Sequence, residues 1–290
     1  MNRLVEAITP GVSYEKGFKI NGKILPFYSF CRPEGENGWS DQMSVGLEEF
    51  SRNHFIDRYN RKIVLDNLQD ILSRPGCAYL DAGCSSGYML EDVLSRVPGV
   101  DAAGADYFTA GLLKCHQSLP YVPLFQFDLL DCRFPDGLFD AVTCLNVLEH
   151  IQDDARALRQ LARIIKPGGR LAATVPMGPH LYDIYDEAHY HVRRYELKAF
   201  KDKIISAGFK VLRFNYFGAL LYPAFYMVKK LNRVRYRGIT GEEKKRIVFK
   251  QIAQSARSPF MEKLCSWEES WGRYVRYPFG IRGYVVAQKG

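Results

Sequence analysis

The stretch Leu80-Asp81-Ala82-Gly83-Cys84-Ser85-Ser86-Gly87 sets an acid, two glycines and several small residues between two apolar runs. Glycine has no Cβ, so Gly83 and Gly87 permit tight turns and close approach of a ligand. A helix opening after Gly87 presents N–H groups with no partner inside the helix. A small-residue loop between a buried strand and a helix is therefore a cradle for a cofactor. A dinucleotide fingerprint counted from Gly83 needs glycine where Ser85 and Tyr88 stand, so a nicotinamide or flavin dinucleotide is disfavoured. A phosphate-binding loop is excluded in the same way, because no Gly-Lys-Ser/Thr follows.

Other residues with chemical capacity lie downstream. Asp106 falls 23 residues beyond Gly83, where a carboxylate can accept from both hydroxyls of a ribose. Glu149 and His150 close an apolar run, and His150 titrates near neutrality, so it is a candidate base. The segment 177–197, MGPHLYDIYDEAHYHVRRYEL, holds three His, four Tyr and the pair Arg193-Arg194. There His189 and His191 are candidates to act as a base or to orient one. Arg193 and Arg194 suit a carboxylate or phosphate. A metal on His189-x-His191 with Asp183 or Asp186 is not expected, because no helical histidine spacing supports it. Each of these residues also has a purely structural reading, as a cap, a packed side chain or part of a hydrogen-bonded lid.

The elements that must position these groups alternate. Strands are expected at 77–83, 101–106, 121–128, 138–147, 170–176, 209–217 and 283–289, and helices at 46–74, 87–96, 108–118, 153–166 and 196–208. Pro167-Gly168-Gly169 serves as a turn. This rhythm predicts an α/β fold, a doubly wound parallel sheet with helices on both faces. In such sheets ligands lie beyond the carboxyl ends of the strands. The expected organisation is an N-terminal arm and covering helix (1–60), a core (61–217 with 281–290) and a helical insertion (218–280).

Composition narrows the setting. The 290 residues carry a net charge of +8, with eight Lys/Arg against two Glu between Lys229 and Arg246. That balance favours acidic partners. Seven scattered cysteines without a Cys-x-x-Cys pair fit free buried thiols in a reducing compartment, and the expected location is cytoplasmic. The N-terminus shows no apolar signal stretch. The apolar run 217–228 is too short to span a bilayer, although peripheral contact with a membrane stays open.

The loop 81–87, Asp106 at the end of the second strand, the segment FDLLDCRFPDGLFDAVTCLNVLEHI (127–151) and the helix, turn and strand of LARIIKPGGRLAATVP (161–176) follow in order. With them, residues 77–215 resemble the class I S-adenosylmethionine-dependent methyltransferases. Ser85 stands where that family most often has glycine. The resemblance implies a Rossmann-like, seven-stranded and mostly parallel sheet whose last strand is antiparallel, with S-adenosylmethionine as cofactor and S-adenosylhomocysteine as product. It places Asp81, Ala82, Gly83, Cys84, Ser85, Gly87, Asp106, Tyr107, Asp128, Leu129 and Asn146 at the cofactor. Asp128 would bond the adenine amine and Leu129 would pack on the ring. His150, His189 and His191 stand as catalytic candidates, and Glu149, Tyr190, Arg193, Arg194 and Tyr195 as substrate contacts. The implied reaction is methylation of a hydroxyl, or less favourably an amine or carboxyl, on a small molecule or a glycoconjugate or lipid-linked precursor. Nucleic acid is disfavoured as acceptor, because neither an Asn/Asp-Pro-Pro-aromatic motif nor a Pro-Cys pair is present. A non-catalytic cofactor-binding scaffold is the third reading. Oligomeric state is not encoded in any motif.

Overall fold

A computed structural model describes residues 2–31, 52–239, 241–255, 258–272 and 274–290. Helix α1 (Arg3–Ile8) is capped by Asn2, whose side chain accepts from the N–H groups of Leu4 and Val5. Short strands β1 (Ser13–Tyr14), β2 (Phe18–Ile20) and β3 (Lys23–Leu25) form a small antiparallel sheet. Strand β4 (Tyr28–Ser29) then joins the main sheet. Over residues 2–31 the arm thus forms regular elements despite its Gly- and Pro-rich sequence. Aromatic residues hold it: Phe18 is fully buried and stacks edge-on against Tyr14 and Phe125, with ring centroids 4.9 and 5.4 Å apart. Helix α2 (Phe55–Leu72) follows. The boundary expected at residue 60 falls inside it, and residues 46–51 of the expected helix lie outside the described residues.

The core alternates as the sequence predicts: β5 (Ala78–Ala82), α3 (Tyr88–Arg96), β6 (Asp101–Asp106), α4 (Thr109–Ser118), β7 (Leu124–Gln126), β8 (Phe139–Leu145), α5 (Asp154–Ile164) and β9 (Ile165–Pro176). Short helix α6 (Ile184–Ala188), α7 (Leu197–Ser206) and β10 (Phe209–Phe217) come next. Helices α8 (Tyr222–Arg235), α9 (Gly241–Ser255) and α10 (Pro259–Trp271) fill the interval before β11 (Arg282–Lys289). Strand order is β10-β11-β9-β8-β5-β6-β7-β4. Only β11 runs antiparallel to its neighbours. The sheet therefore has eight strands rather than seven, because β4 adds a short parallel edge.

Burial follows from the strand composition. Every residue of β5 is buried, as expected for a parallel strand covered on both faces. One face carries α1, α5 and α7 through Leu4, Leu158, Leu161, Phe200 and Ile204. The other carries α2, α3 and α4 through Leu68, Leu90, Val93 and Leu112. Pro167-Gly168-Gly169 does not separate helix from strand. It lies inside β9, where the pairing with β8 slips between Phe139 and Ala141, and Gly168 takes φ +78°.

One buried acid fixes the insertion to the sheet. Glu268 on α10 is fully buried and accepts from the N–H groups of Gly218 (2.6 Å) and Leu220 (2.9 Å), where the chain leaves β10. Glu268→Ala strands both donors in the interior and is expected to cost about 2 kcal/mol or more. Glu268→Gln keeps one acceptor and is expected to lose roughly half as much. Denaturant midpoints of the two variants check this order.

Candidate active site

The loop after β5 is strapped to the end of β6. Gly83 and Cys84 donate their N–H groups to Ala105 O at 2.7 and 3.0 Å. Ser85 N–H donates to Asp106 Oδ2 at 2.8 Å, and Phe108 N–H donates to Oδ1 of the same carboxylate at 2.9 Å. Gly83, Ser85 and Gly87 all have positive φ (+89°, +47° and +84°). Left-handed backbone is easy for glycine and costs other residues about 1–2 kcal/mol, which the Asp106 bond to Ser85 offsets. Asp106 is thus the clasp of this loop. Each oxygen takes one backbone N–H, and a carboxylate oxygen has a second lone pair that can accept a further hydrogen bond.

The two glycines make the tight turns expected of them and also clear room for other chain segments. A Cβ on Gly83 would lie 2.2 Å from Val147 Cγ2, and one on Gly87 would lie 2.4 Å from Cys115 Sγ. Their missing side chains let chain segments approach each other, the loop after β8 in one case and α4 in the other. Cys84 is buried beneath the loop, whereas Ser85 and Tyr107 are half-buried at the carboxyl ends of the strands. Asp81 and Ala82 end β5 inside the protein. Asp81 Oδ1 accepts from Thr143 Oγ1 at 2.7 Å. Burial raises the Asp81 carboxyl to about 7 against that bond, and the nearby Asp106 charge adds to the rise. Asp128 follows β7, and its Oδ1 caps a one-turn 3-10 helix through Leu130 N–H at 2.8 Å, with Leu129 buried beside it. Carboxylates thus gather where β5, β6 and β7 end, beside a left-handed loop. Were a cationic sulfonium nucleotide to bind at these strand ends, Ser85, Asp106, Tyr107 and Asp128 are the groups that would hold it, with buried Asp81 behind them.

The second half of the site comes from two loops. Asn146 takes φ +55° directly after β8, its N–H bonded to Thr174 O at 3.0 Å. That turn swings Val147 over Gly83 and leads into Glu149 and His150. Val192 N–H donates to Glu149 O at 2.8 Å and so zips the 177–197 segment to this loop. His150 and His191 consequently meet edge-on, with ring centroids 4.9 Å apart, and His189 stands 5.8 Å from His191. Tyr190, between them, is half-buried with φ +55°.

Asp186 organises this cluster. Its fully buried carboxylate accepts from His191 Nδ1 (2.9 Å), Arg194 Nε (2.8 Å) and Lys229 Nζ (3.0 Å). Burial alone would raise its pKa. The hydrogen bond from His191 and the charges of Lys229 and Arg194 outweigh burial and hold it well below the ordinary carboxylate range. Burial lowers all three histidines: His150 strongly, with protonation further opposed by its histidine neighbours, His189 to about 4, and His191 against the pull of Asp186. The imidazoles are therefore neutral at pH 7. Burial also lifts Glu149 to about 8, and its Oε2 has no hydrogen-bond partner among the described residues.

Three expected substrate contacts are committed elsewhere. Arg193 bonds Ile151 O, Gln152 O and the Asp154 carboxylate. Buried Arg194 serves Asp186 and Met177 O. Tyr195 donates to Leu148 O and Asp154 Oδ2 from inside the core. These bonds build the loop, Arg194 and Tyr195 from the interior and Arg193 from a partly exposed position. Donor atoms of Glu149, His150 and His191 lie within 4.8 Å of one another, a set able to take a metal ion. It differs from the set weighed in the sequence, whose Asp183 and Asp186 instead face Lys229. The sequence offered no local sign of Lys229 as a site residue, because it reads as one of a run of surface cations.

A mostly parallel Rossmann-like sheet with a glycine loop after its first core strand is the architecture of the class I methyltransferase fold. The methyltransferase domain family model matches residues 52–213, more than half of the chain, and the chain belongs to that family. It is 36% identical over 113 residues to a ubiquinone biosynthesis O-methyltransferase of Alkalilimnicola ehrlichii, covering 37% of this chain and 45% of that protein. It is 34% identical over 119 residues to a demethylmenaquinone methyltransferase of Corynebacterium kroppenstedtii, covering 39% and 49%. The chain thus spans about half the length of the curated relatives it matches. Phosphoethanolamine N-methyltransferase 2 of Haemonchus contortus, solved with S-adenosyl-L-methionine, superposes with a TM-score of 0.58 at 15% identity, over 88% of this chain and 58% of that one. This likeness is one of fold.

Two outcomes follow from the geometry. Asp106→Asn removes one acceptor from the loop clasp, and S-adenosylmethionine affinity by calorimetry is expected to fall at least about tenfold, the loss of one charge-assisted hydrogen bond. For Glu149 the folded pKa (about 8) lies above the ordinary 4.5, so the folded state keeps a proton that the unfolded chain has lost. Wild-type stability is therefore drawn down as pH rises from 4.5 to about 8. Glu149→Gln cannot ionise. Its melting temperature is expected to gain on wild type across that window and to match it at the acidic end, as followed by scanning calorimetry.

Proposed function

We propose that this chain moves the methyl group of S-adenosylmethionine onto an oxygen of a small-molecule acceptor, with His150 and His191 on the acceptor side. The observation that carries the reading is the meeting of these two imidazoles beyond the end of β8, next to the loop that crosses Gly83. The cofactor, when bound, supplies an electrophilic methyl on a good leaving group. What remains for the protein is to orient the acceptor, exclude water and receive a proton.

The residues suit those tasks. Asp186 engages His191 Nδ1, which leaves Nε2 as the nitrogen able to take a proton. An anionic Asp186 also stabilises the imidazolium that results. Glu149 and the three histidines are uncharged at neutral pH, so the pocket favours an apolar acceptor that carries one hydroxyl over an anion. The commitment of Arg193 and Arg194 to internal bonds supports the same preference. The names of the relatives from Alkalilimnicola ehrlichii and Corynebacterium kroppenstedtii also favour small molecules over nucleic acid, and the former favours oxygen.

His191→Asn and His150→Ala are expected to lower kcat by about 10²–10⁴ with cofactor affinity within about twofold of wild type. Lowered imidazole pKa values keep the base deprotonated until pH drops through them. The acidic limb of kcat/KM should accordingly lie below the ordinary histidine value of 6.5. Turnover on phenolic and alcoholic acceptors, followed by mass spectrometry of the methylated product, tests the reading. Full activity in both variants would overturn it.

A further inference from the structure

Helix α8 is oriented against its own polarity. Its inward face carries Lys229 and Asn232, only 2% and 5% exposed. Lys229 Nζ bonds the carboxylates of Asp183 and Asp186, and Asn232 Nδ2 donates to Asp183 Oδ2 at 2.9 Å. The outward face carries Met227, Val228, Leu231 and Val234, which are 53%, 47%, 60% and 79% exposed. In an ordinary surface helix the apolar stripe turns toward the core. Here the buried ion pairs lock the rotation, and the stripe at i, i+1, i+4 and i+7 has no cover among the described residues. Arg233 adds a second lock by donating to the carbonyls of His180 and Tyr182.

Charge surrounds the stripe. Lys230, Arg233, Arg235 and Arg237 are exposed on α8 and just past its end, and no Asp or Glu occurs from Lys203 through Thr240. We infer that α8 is a membrane-docking helix that lies on an anionic lipid surface, with Met227, Val228, Leu231 and Val234 in the apolar boundary and Lys230, Arg235 and Arg237 among acidic headgroups. An aliphatic stripe with flanking Lys and Arg is the composition such a surface binds. A second copy of this chain fits less well, because a two-fold contact on this face brings the same cations into opposition. Nucleic acid fits less well too, because exposed aliphatic side chains gain nothing from phosphate.

Asp183 and Asp186 join α8 to the segment bearing His191. Docking therefore sets the histidine cluster in a fixed relation to the lipid surface. This inference stands independently of methyl transfer, since it rests on the exposed face of α8 alone.

The test is flotation of the full chain with vesicles of equal parts phosphatidylcholine and phosphatidylglycerol, and with vesicles of phosphatidylcholine alone. Wild type is expected to float with the anionic vesicles and to stay behind with the neutral ones. Leu231→Asp/Val234→Asp and, separately, Lys230→Gln/Arg237→Gln should each weaken binding about tenfold or more. All four positions are exposed, and unchanged melting temperatures would show that the variants fold. Absence of flotation, or variants that float like wild type, would overturn the inference. It would also fall if the aspartate variant converted a dimer to a monomer in sedimentation velocity without any vesicle binding. Salt-sensitive retention on RNA, lost in the glutamine variant and unaccompanied by flotation, would overturn it as well.

Discussion

A single buried carboxylate, Asp186, determines more of this molecule than any other group. Taking a charge out of water is costly, and removal of one member of a buried pair typically costs several kcal/mol. Asp183 and Asp186 meet Lys229 and Arg194 in the interior, two negative charges against two positive ones. Neutrality permits the burial, and the geometry of four side chains then sets the backbone around them. The capping box at the start of α6 uses the same two acids, so local helix structure and long-range pairing reinforce each other. His191 is oriented by Asp186, and α8 is rotated by it. The histidine cluster and the exposed apolar stripe are two consequences of one electrostatic requirement.

The cofactor side depends on a different device of the same kind. Parallel strands end together, so β5, β6 and β7 deliver Asp81, Asp106 and Asp128 to one edge. Asp106 then pins Ser85 in left-handed backbone, and Gly83 clears room for Val147. The loop after β5 and the loop after β8 therefore fit against each other as one surface. That contact ties the expected cofactor crevice to the acceptor side, because Val147 begins the turn that ends in His150. Neither half of the site is built by one element. Each is assembled by hydrogen bonds between loops that follow different strands.

Much of this was legible in the chain. A strand ending in acid and glycine and the alternation of apolar runs with amphipathic ones follow from local periodicity and from backbone conformations that few residues tolerate, whereas the antiparallel last strand was implied by family resemblance. His150, His189 and His191 stood out by type, although nothing in their spacing revealed that His150 and His191 touch. The N-terminal arm was opaque, because Phe18 and Phe30 owe their order to Phe125 and Phe134, roughly a hundred residues away. Arg193 and Arg194 looked like ligand binders because a sequence does not show which cations already have partners.

The sequence by itself determined the α/β layering, the position of the glycine loop and the acid that ends β6, since each depends on neighbours within a few residues. Tertiary structure alone decided which polar groups lie inside and which apolar ones lie outside. Lys229 and Leu231 are two residues apart on one helix. The carboxylates of Asp183 and Asp186, more than forty residues earlier, draw the first inward and so turn the second toward solvent. Burial of a charge is settled by a partner distant in the chain, and no local pattern carries that information.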